Sequence, residues 1–278
     1  MNDFELRRAV ERWLAEDIGH GDVTTERCVP AAATAVGRFV PRVPGVLAGL
    51  APARLCFELL DPAVVFESVA QDGAELVPGQ ALATVRGPAR AVLKGERLAL
   101  NLLQRLSAVA SLTRRFVEAV AGTRAVILDT RKTTPGLRAL EKAAVRAGGG
   151  CNHRFGLDDG ILIKDNHLVA AGGVGPAVAA ARAGNPMLRV EVEVDTLAQA
   201  AEALAAGADG LLLDNMAPPQ LAQAVALCAG RAWTEASGGV NLGTVAAIAA
   251  SGVDYISVGA LTHSAPAVDI GLDFELGT

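Results

Sequence analysis

The chain has 278 residues, of which 51% are hydrophobic but only 4% aromatic, and its formal net charge is −5. A nucleic-acid surface needs a basic face and aromatic stacking platforms, so this composition argues against one. The four cysteines are widely spaced without a CxxC pair, which favours free thiols in a reducing cytoplasm. The most apolar long run, 168–181, is short and broken by glycine and proline, so we expect no membrane span.

The first 120 residues predict a helix, an antiparallel sheet and a second helix. Residues 3–16 have helical spacing, and the glycine-containing segment 19–25 after them predicts a loop. From about 36 to 94, short β-type runs alternate with glycine and proline, which is typical of antiparallel strands. Residues 96–121 carry a leucine stripe that predicts a long helix.

A regular alternation of strands and helices begins after Gly122. Six short apolar runs that end in polar residues predict strands at 125–130, 161–166, 189–195, 210–215, 232–239 and 255–260. Alanine-rich segments predict helices at 168–183, 196–206, 218–229 and 241–251. Such alternation requires parallel strands joined by right-handed crossovers, hence an α/β domain. Six strands fall short of the eight of a closed barrel, so we expect an open, incomplete barrel; a doubly wound sheet is the alternative.

Positive charge is concentrated between Asp129 and His167. This stretch holds seven Lys/Arg and five Asp/Glu in a chain whose net charge is negative, which predicts a site for a small, multiply anionic ligand. Arginine holds a carboxylate through two parallel hydrogen bonds, whereas lysine supplies a mobile point charge. Lys164 follows an apolar run, so we expect it to be buried at a strand end. His153 is predicted to be a ligand contact or an acid–base group. The cationic candidates are Arg131, Lys132, Arg154 and Lys164.

Carboxylates alternate with valines in the segment 189–195. Strand geometry places Glu191, Glu193 and Asp195 on one face, which a barrel would point into its lumen. Buried carboxylates need cations, a metal or hydrogen bonds as partners. The alternative is that this segment is an edge strand whose carboxylates face solvent. Asp214 ends the next strand and would lie beside Glu193. Two such carboxylates predict a site for Mg²⁺ or for ribose hydroxyls.

Glycine-containing turns follow the last two predicted strands, at 237–239 and 258–260. Each turn comes just before a predicted helix, where backbone N–H groups can approach a phosphate. Barrels commonly bind phosphate in these final loops. His263 is interpreted as a phosphate contact, and Cys151 as a packing residue.

These motifs together resemble those of the quinolinate phosphoribosyltransferase family over almost the whole chain. The matching segments are EDIGHGDVTT (16–25), GERLALNLLQRLS (95–107), DTRKTTPGLR (129–138), GGGCNHRFGL (148–157), LIKDNH (162–167), EVEVD (191–195), LLDN (212–215), EASGG (235–239) and SVGALTHS (257–264). The chain departs from the family pattern in SAVAS (107–111), where a glycine is more usual, and at Gly160, where a larger residue is more usual. Neither departure removes a charged site residue.

The resemblance implies an α/β fold of two domains. An N-terminal α/β sandwich, 1–106, would be joined by the C-terminal tail, 265–278, and an open, incomplete barrel would span 107–264. The implied protein is a cytoplasmic homodimer, or a larger assembly. Its implied reaction, in de novo NAD biosynthesis, joins quinolinate to phosphoribosyl pyrophosphate with Mg²⁺ and yields nicotinate mononucleotide, pyrophosphate and CO₂.

The resemblance also implies roles for individual residues. The residues assigned to quinolinate are Arg105, Thr130, Arg131, His153, Arg154 and Lys164. Those assigned to phosphoribosyl pyrophosphate are Lys132, Glu193, Asp214, Ser237, Gly238, Gly259 and His263. Glu193 and Asp214 would bind Mg²⁺ and, with Lys164, would be catalytic. Family sites borrow an arginine from the partner subunit, for which Arg42 is the candidate.

Three alternatives stay open beside this assignment. One is a paralogue found with molybdenum transport genes, and another is nicotinate phosphoribosyltransferase, which does not decarboxylate. The third is a catalytically inactive sensor of nucleotide precursors. The charged motifs at 129–138, 148–157 and 162–167 are intact, which favours the decarboxylating enzyme.

Overall fold

The computed structural model describes residues 2–276 and contains eleven helices and twelve strands within them. The helices are α1 Asp3–Ile18, α2 Val23–Cys28, α3 Leu50–Glu58, α4 Ala89–Ala119, α5 Arg138–Ala147, α6 Asp165–Ala171, α7 Val174–Arg182, α8 Leu197–Ala205, α9 Pro218–Cys228, α10 Val245–Ala250 and α11 Ala260–His263. The strands are β1 Thr34–Pro41, β2 Gly45–Val46, β3 Val65–Ser68, β4 Glu75–Leu76, β5 Ala83–Pro88, β6 Val126–Leu128, β7 Ile161–Ile163, β8 Val190–Val194, β9 Gly210–Asp214, β10 Trp233–Ser237, β11 Tyr255–Ser257 and β12 Ile270–Leu276.

The chain forms two compact units. Unit 1 comprises Met1–Leu112, Ala139–Gly149 and Ala265–Thr278, and unit 2 comprises Thr113–Arg138 and Gly150–Ser264. Within the described residues 2–276, no helix is both long enough and apolar enough to cross a membrane.

Unit 1 is built on a four-stranded antiparallel sheet in the order β12-β1-β5-β3. Helix α3 packs on β3, and α1 packs on α3. Phe39, Phe57 and Phe66 form the aromatic part of the core, with ring centroids 5.8 to 6.0 Å apart. Gly95 on α4 allows close packing here, because a Cβ would lie 2.7 Å from Phe57 Cδ1. The sheet with helices packed against it agrees with the predicted α/β sandwich.

Unit 2 is built on six parallel strands in the order β6-β11-β10-β9-β8-β7. The core is aliphatic: Val192, Leu211 and Leu213 are completely buried. This order leaves β6 and β7 at opposite edges of the sheet, so the barrel is open, as predicted. Beyond β6, Cys151 forms an isolated parallel bridge with Leu128.

All six predicted strands of unit 2 are present, but several helices differ from the prediction. The segment 168–183 forms two helices instead of one, because Gly172 and Gly173 adopt φ values of +83° and +131° between α6 and α7. Helix α4 begins at Ala89, seven residues before the predicted start. The loop predicted at 19–25 contains the start of α2, whose cap Asp22 accepts a hydrogen bond from Thr25 N.

Helices α3 and α5 were not predicted. Glycine and proline at the start of α3 resemble the turn signals of the surrounding sheet. Helix α5 lies inside the charged stretch, where the density of Lys, Arg and Glu hides its apolar face. Both helices are also short, at nine and ten residues, and a stretch of that length shows too few turns for helical periodicity to stand out.

Candidate active site

A cavity of about 660 Å³ lies in unit 2, where the carboxyl ends of the parallel strands meet. It brings together ten of the predicted site residues: Thr130, Arg131, Lys132, His153, Arg154, Lys164, Glu193, Asp214, Ser237 and Gly238. Six further residues line it: Leu162, Leu212, Asn215, Glu235, Gly239 and Ser257. Every lining residue belongs to unit 2.

Three of the six further residues follow from the two-residue period of strands. Leu162, Leu212 and Glu235 each lie two residues before a predicted site residue at a strand end. Alternate residues of a strand share a face, so these side chains enter the same cavity. Glu235 belongs to the EASGG motif (235–239), and the period that brings Ser237 to the cavity brings Glu235 there as well.

Gly259 and His263 do not line the cavity but lie beside one of its residues. A Cβ on Gly259 would lie 3.0 Å from Lys132 Cδ and 3.2 Å from His263 Nε2. Thr262 Oγ1 donates a hydrogen bond to Lys132 O over 2.8 Å, which ties α11 to the loop after β6. These contacts place Gly259 and His263 next to the Lys132 side chain.

Two predicted arginines belong to unit 1 and are engaged there. Arg105 donates to Glu141 Oε1 from Nε at 3.1 Å and from Nη2 at 2.7 Å, and its Nη1 donates to Ala265 O. Arg42 forms an ion pair with Asp273 on β12. Each arginine therefore has a carboxylate partner within its own unit.

Lys164 is exposed, contrary to the prediction that it is buried. Strand β7 ends at Ile163, so Lys164 stands at the start of α6 on the cavity rim, with 46% of its side chain exposed. Its Nζ donates a hydrogen bond to Glu193 Oε2 over 2.7 Å. Cys151 is likewise exposed and not a packing residue, because it lies beyond the edge strand β6.

Asp214 concentrates negative charge at the end of β9. Burial, together with the nearby carboxylates of Glu193 and Asp195, raises the pKa of Asp214 above its ordinary value, while Lys164 acts in the opposite direction. Asn215 Nδ2 donates to Asp214 Oδ2 over 2.6 Å. A bound cation would relieve the repulsion among these carboxylates, so Glu193 and Asp214 suit a divalent metal.

The cationic wall of the cavity holds two guanidinium groups. Arg154 Nη1 donates to Gly160 O over 3.0 Å, whereas Arg131 Nε is buried without a hydrogen-bond partner. Burial and the neighbouring charge of Arg131 lower the pKa of Arg154. Binding an anion here would relieve this repulsion and supply the missing acceptor.

His153 contacts two buried carboxylates. Its Nε2 lies 3.2 Å from Glu191 Oε2 and 3.4 Å from Glu235 Oε2. Burial acts to lower the pKa of His153, but the hydrogen bonds and charges of the two glutamates outweigh it and raise that pKa to about 10. The Arg154 backbone N–H donates to Nδ1 over 2.7 Å. That contact disfavours a proton on Nδ1, whereas the two carboxylates favour the doubly protonated, cationic ring. Nε2 carries a proton both in the neutral ring that accepts at Nδ1 and in the cationic ring.

The loop after β10 is closed by a glycine that no other residue can replace without rearrangement. Gly238 has a φ of +92°, and a Cβ there would lie 2.1 Å from Asn215 Oδ1. Helix α10 begins only at Val245, so Ser237, Gly238 and Gly239 do not directly precede a helix as predicted. Gly259 does, because it caps α11. The backbone N–H groups of residues 238 and 239 would therefore meet a phosphate from a loop and not from the first turn of a helix.

Family models match both halves of the chain. A model of the quinolinate phosphoribosyl transferase N-terminal domain matches residues 22–107, and one of the C-terminal domain matches residues 109–273. The chain belongs to the quinolinate phosphoribosyl transferase family. The resemblance inferred from the motifs is confirmed, and the chain is a transferase.

Relatives of this family member are similar over nearly their full length. A nicotinate-nucleotide pyrophosphorylase (carboxylating) of Mycobacterium leprae is 49% identical, over 98% of this chain and 98% of that protein. A probable enzyme of the same name from Bacillus subtilis is 45% identical, over 99% and 96%. The crystal structure of NadC from Streptococcus pyogenes matches with a TM-score of 0.96 at 41% identity, covering 100% of this chain and 99% of that one.

A human nicotinic acid phosphoribosyltransferase structure shares the fold alone. Its TM-score is 0.61 at 15% identity, over 99% of this chain and 74% of that one. A shared fold carries no information about the substrate, so the non-decarboxylating alternative has to be tested with substrates.

Proposed function

We propose that this family member transfers the phosphoribosyl group of phosphoribosyl pyrophosphate to quinolinate, with Mg²⁺ and with loss of CO₂. The products are nicotinate mononucleotide and pyrophosphate, as in de novo NAD biosynthesis. The observation that carries the proposal is a single cavity with guanidinium groups in one wall and a carboxylate pair in another. A dicarboxylate ring suits the first wall, and a magnesium-bound sugar pyrophosphate suits the second.

We propose that quinolinate binds beside the guanidinium groups of Arg131 and Arg154, at the cationic wall of the cavity. Arg131 has an unpartnered Nε, and Arg154 is held beside it, so two carboxylates would supply acceptors and reduce the repulsion between them. Thr130, His153 and Lys164 line the same cavity and keep their assignment to quinolinate. Arg105, and Arg42 from a partner subunit, remain assigned by family resemblance, and each would exchange its present carboxylate partner for the substrate.

Phosphoribosyl pyrophosphate is proposed to bind across the other strand ends. Lys132, Ser237 and Gly238 line that part of the cavity, and Gly259 and His263 lie beside Lys132, so donors and cations converge for phosphate. Glu193 and Asp214 would hold Mg²⁺, whose charge stabilises the departing pyrophosphate.

The chain's own residues supply two further effects. As the bond to pyrophosphate breaks, the sugar develops positive charge, which Glu193 and Asp214 would stabilise. Loss of CO₂ then leaves an electron pair on the ring carbon beside the positively charged nitrogen, and Lys164 would stabilise it electrostatically until a proton takes the place of CO₂ on that carbon. We expect no covalent intermediate, since the residues that line the cavity include no cysteine and no Ser–His pair. A ribosyl adduct detected by mass spectrometry would contradict this.

We propose a homodimer, or a larger assembly, that works in the cytoplasm. Light scattering of the purified protein would measure the assembly; a monomer at working concentration would contradict it.

The direct test supplies purified protein with quinolinate, phosphoribosyl pyrophosphate and Mg²⁺ and measures nicotinate mononucleotide and released CO₂. Nicotinate serves as a parallel acceptor, and a chelator as the control for the metal. Product and CO₂ from quinolinate alone are expected. Product from nicotinate without CO₂ would instead identify a non-decarboxylating transferase. Binding of quinolinate without turnover of either acceptor would identify a sensor.

A further inference from the structure

His153, Glu191 and Glu235 form a buried trio between two cavities of unit 2. The exposed fractions of their side chains are 16%, 7% and 2%. His153, Arg154 and Glu235 line both the site cavity and a second one of about 430 Å³. The second cavity is lined by Trp233 and by other residues at the amino ends of the strands. The trio therefore forms part of the partition behind the site.

The two glutamates have different hydrogen-bond environments. Glu191 accepts from Trp233 Nε1 through Oε1 at 3.2 Å and contacts His153 Nε2 through Oε2. Glu235 contacts the same Nε2 through Oε2, but its Oε1 is buried without a partner. Burial raises the pKa of Glu235, with the charge of Glu191 acting in the same direction. Glu191 is thus held at both of its oxygens, whereas Glu235 is held at one.

Both ring nitrogens of His153 are engaged within the protein. Nε2 faces the two glutamates, and Nδ1 accepts the Arg154 backbone N–H. No ring nitrogen is left for a proton transfer to substrate. The backbone of His153 is held as well, because its N–H donates to Asp129 Oδ1 over 2.9 Å. The histidine therefore links a buried carboxylate to the backbone that carries Arg154.

We propose that Glu191 and Glu235 are positioning residues: they hold the His153 ring and, through its contact with the Arg154 amide, they orient the Arg154 guanidinium at the cavity wall. Glu191 acts as the anchor, because both of its oxygens are engaged, and Glu235 acts as a second contact. His153 then positions Arg154 in addition to lining the quinolinate site, and it is not an acid–base catalyst. The kinetic consequence rests on the proposed function.

The kinetic test is Glu191→Gln, a substitution that keeps the shape and removes the charge. We expect the KM for quinolinate to rise by about tenfold to a hundredfold, because small misplacements of a binding group cost this much. The KM for phosphoribosyl pyrophosphate should stay near that of the wild type. Glu235→Gln should raise the quinolinate KM less, and Glu191→Asp should recover part of the loss. Equal effects on both KM values, or a larger effect of Glu235→Gln, would overturn the proposal.

The matched control is Glu67→Gln on β3. Glu67 forms an ion pair with Arg86 over 3.0 Å at the surface of unit 1, so the substitution removes a carboxylate without touching the cavity. Both KM values should equal those of the wild type. A raised quinolinate KM in this control as well would overturn the specific role of Glu191.

A second readout is independent of activity. The chain has only four histidines, so the ring N–H signal of His153 can be assigned in a ¹⁵N-histidine NMR spectrum by its loss in His153→Gln. We expect a slowly exchanging Nε2–H in the wild type and in Glu67→Gln, and its loss by solvent exchange in Glu191→Gln. A retained signal in Glu191→Gln would overturn the proposal. If the wild type turns over no substrate, the proposed function fails while this readout still decides the positioning.

The same samples show whether a metal ion is bound by His153, Glu191 and Glu235. The ligand atoms of His153, Glu191 and Glu235 all lie within 4.8 Å of one another, a spacing that a metal ion could bridge. A metal on Nε2 would replace the ring proton. A wild type without the Nε2–H signal and with one transition-metal ion per chain would overturn the hydrogen-bonded assignment; a metal-free protein that shows the signal supports it.

Discussion

Single side chains carry most of the proposed chemistry, and Lys164 is the one whose removal is easiest to interpret. It stands on the cavity rim, half exposed, and its ion pair with Glu193 is of a kind that contributes about 0–1 kcal/mol to stability. Its ammonium is nevertheless the cation proposed to stabilise the electron pair left by CO₂. A substitution of Lys164 should therefore reduce activity while leaving stability nearly unchanged.

Lys164→Ala should reduce turnover by about two orders of magnitude or more, because a preorganised charge beside the reacting centre is lost. The melting temperature should change by no more than a few degrees. Lys94→Ala is the control: Lys94 pairs with Glu26 over 2.8 Å in unit 1, and its removal should leave kinetics unchanged. Wild-type turnover in Lys164→Ala would show that the assignment is wrong.

Asp214→Asn should abolish activity and raise the melting temperature at pH 7. A carboxyl whose pKa is raised on folding binds its proton more tightly in the folded state. Stability is therefore lost as the pH rises from the ordinary value of 3.8 through the raised one, and the ionised carboxyl destabilises the folded state above that range. The amide removes that charge. Calorimetry of both proteins checks this; a lower melting temperature in the variant would contradict it.

Gly238→Ala should weaken the binding of phosphoribosyl pyrophosphate, because the new Cβ would displace Asn215, the partner of Asp214. The positive φ costs about 1–2 kcal/mol besides. Gly230→Ala separates the two effects: Gly230 has a φ of +75° and nothing within 4 Å of a Cβ. Its KM values should match the wild type. An equal rise in KM in both variants would refute a local effect at Asn215.

At the scale of elements, the strands of unit 2 were predictable and several helices were not. Where strands and helices alternate along the chain, a short apolar run that ends in polar residues, such as 210–215, predicts a strand. All six strands of unit 2 were predicted in this way. The helix boundary at Gly172 and Gly173 depends on positive φ values that alanine-rich periodicity does not reveal. Ten predicted site residues line one cavity because parallel strands end at the same edge. The burial of Glu191 was predicted, but the contact of Glu191 and Glu235 with His153 was not, since it depends on how strands β8 and β10 meet the loop at 153.

The aromatic core of unit 1 should respond strongly to truncation. Phe39 is completely buried on β1 and packs against Phe57 and Phe66, so Phe39→Ala should lower the free energy of unfolding by about 3–5 kcal/mol. Phe39→Leu should cost less, because it leaves a smaller cavity. Denaturant unfolding measures both; equal losses would indicate that the neighbours collapse into the space.

At the scale of the whole molecule, the open barrel and the sandwich are the predicted fold, whereas the domain boundaries at 106/107 and 264/265 stay a prediction. In the proposed dimer, each subunit would contribute one arginine to the site of its partner. Arg42 pairs with Asp273 at the surface of unit 1, and the resemblance assigns it to the site of the partner subunit. Such sharing can be tested without a structure of the dimer.

Mixing two inactive proteins, Arg42→Ala and Lys164→Ala, should restore activity. Random exchange of subunits makes one intact site in each mixed dimer, or about a quarter of the wild-type activity. Arg38→Ala is the control: Arg38 pairs with Glu275 on the same strand pair, and this variant should be active by itself. An active Arg42→Ala protein, or no recovery on mixing, would remove Arg42 from the site.

The tryptophans fall one in each unit: Trp13 lies on α1, and Trp233 lies on β10, where its indole N–H donates to Glu191. Replacement of Trp13 by phenylalanine would leave Trp233, which is hydrogen-bonded to the trio behind the site, as the single tryptophan of the chain. Its emission would then report changes at Glu191 optically, while Trp13 in the reciprocal variant would report unit 1. The two parts of the chain thus carry separate, native spectroscopic labels.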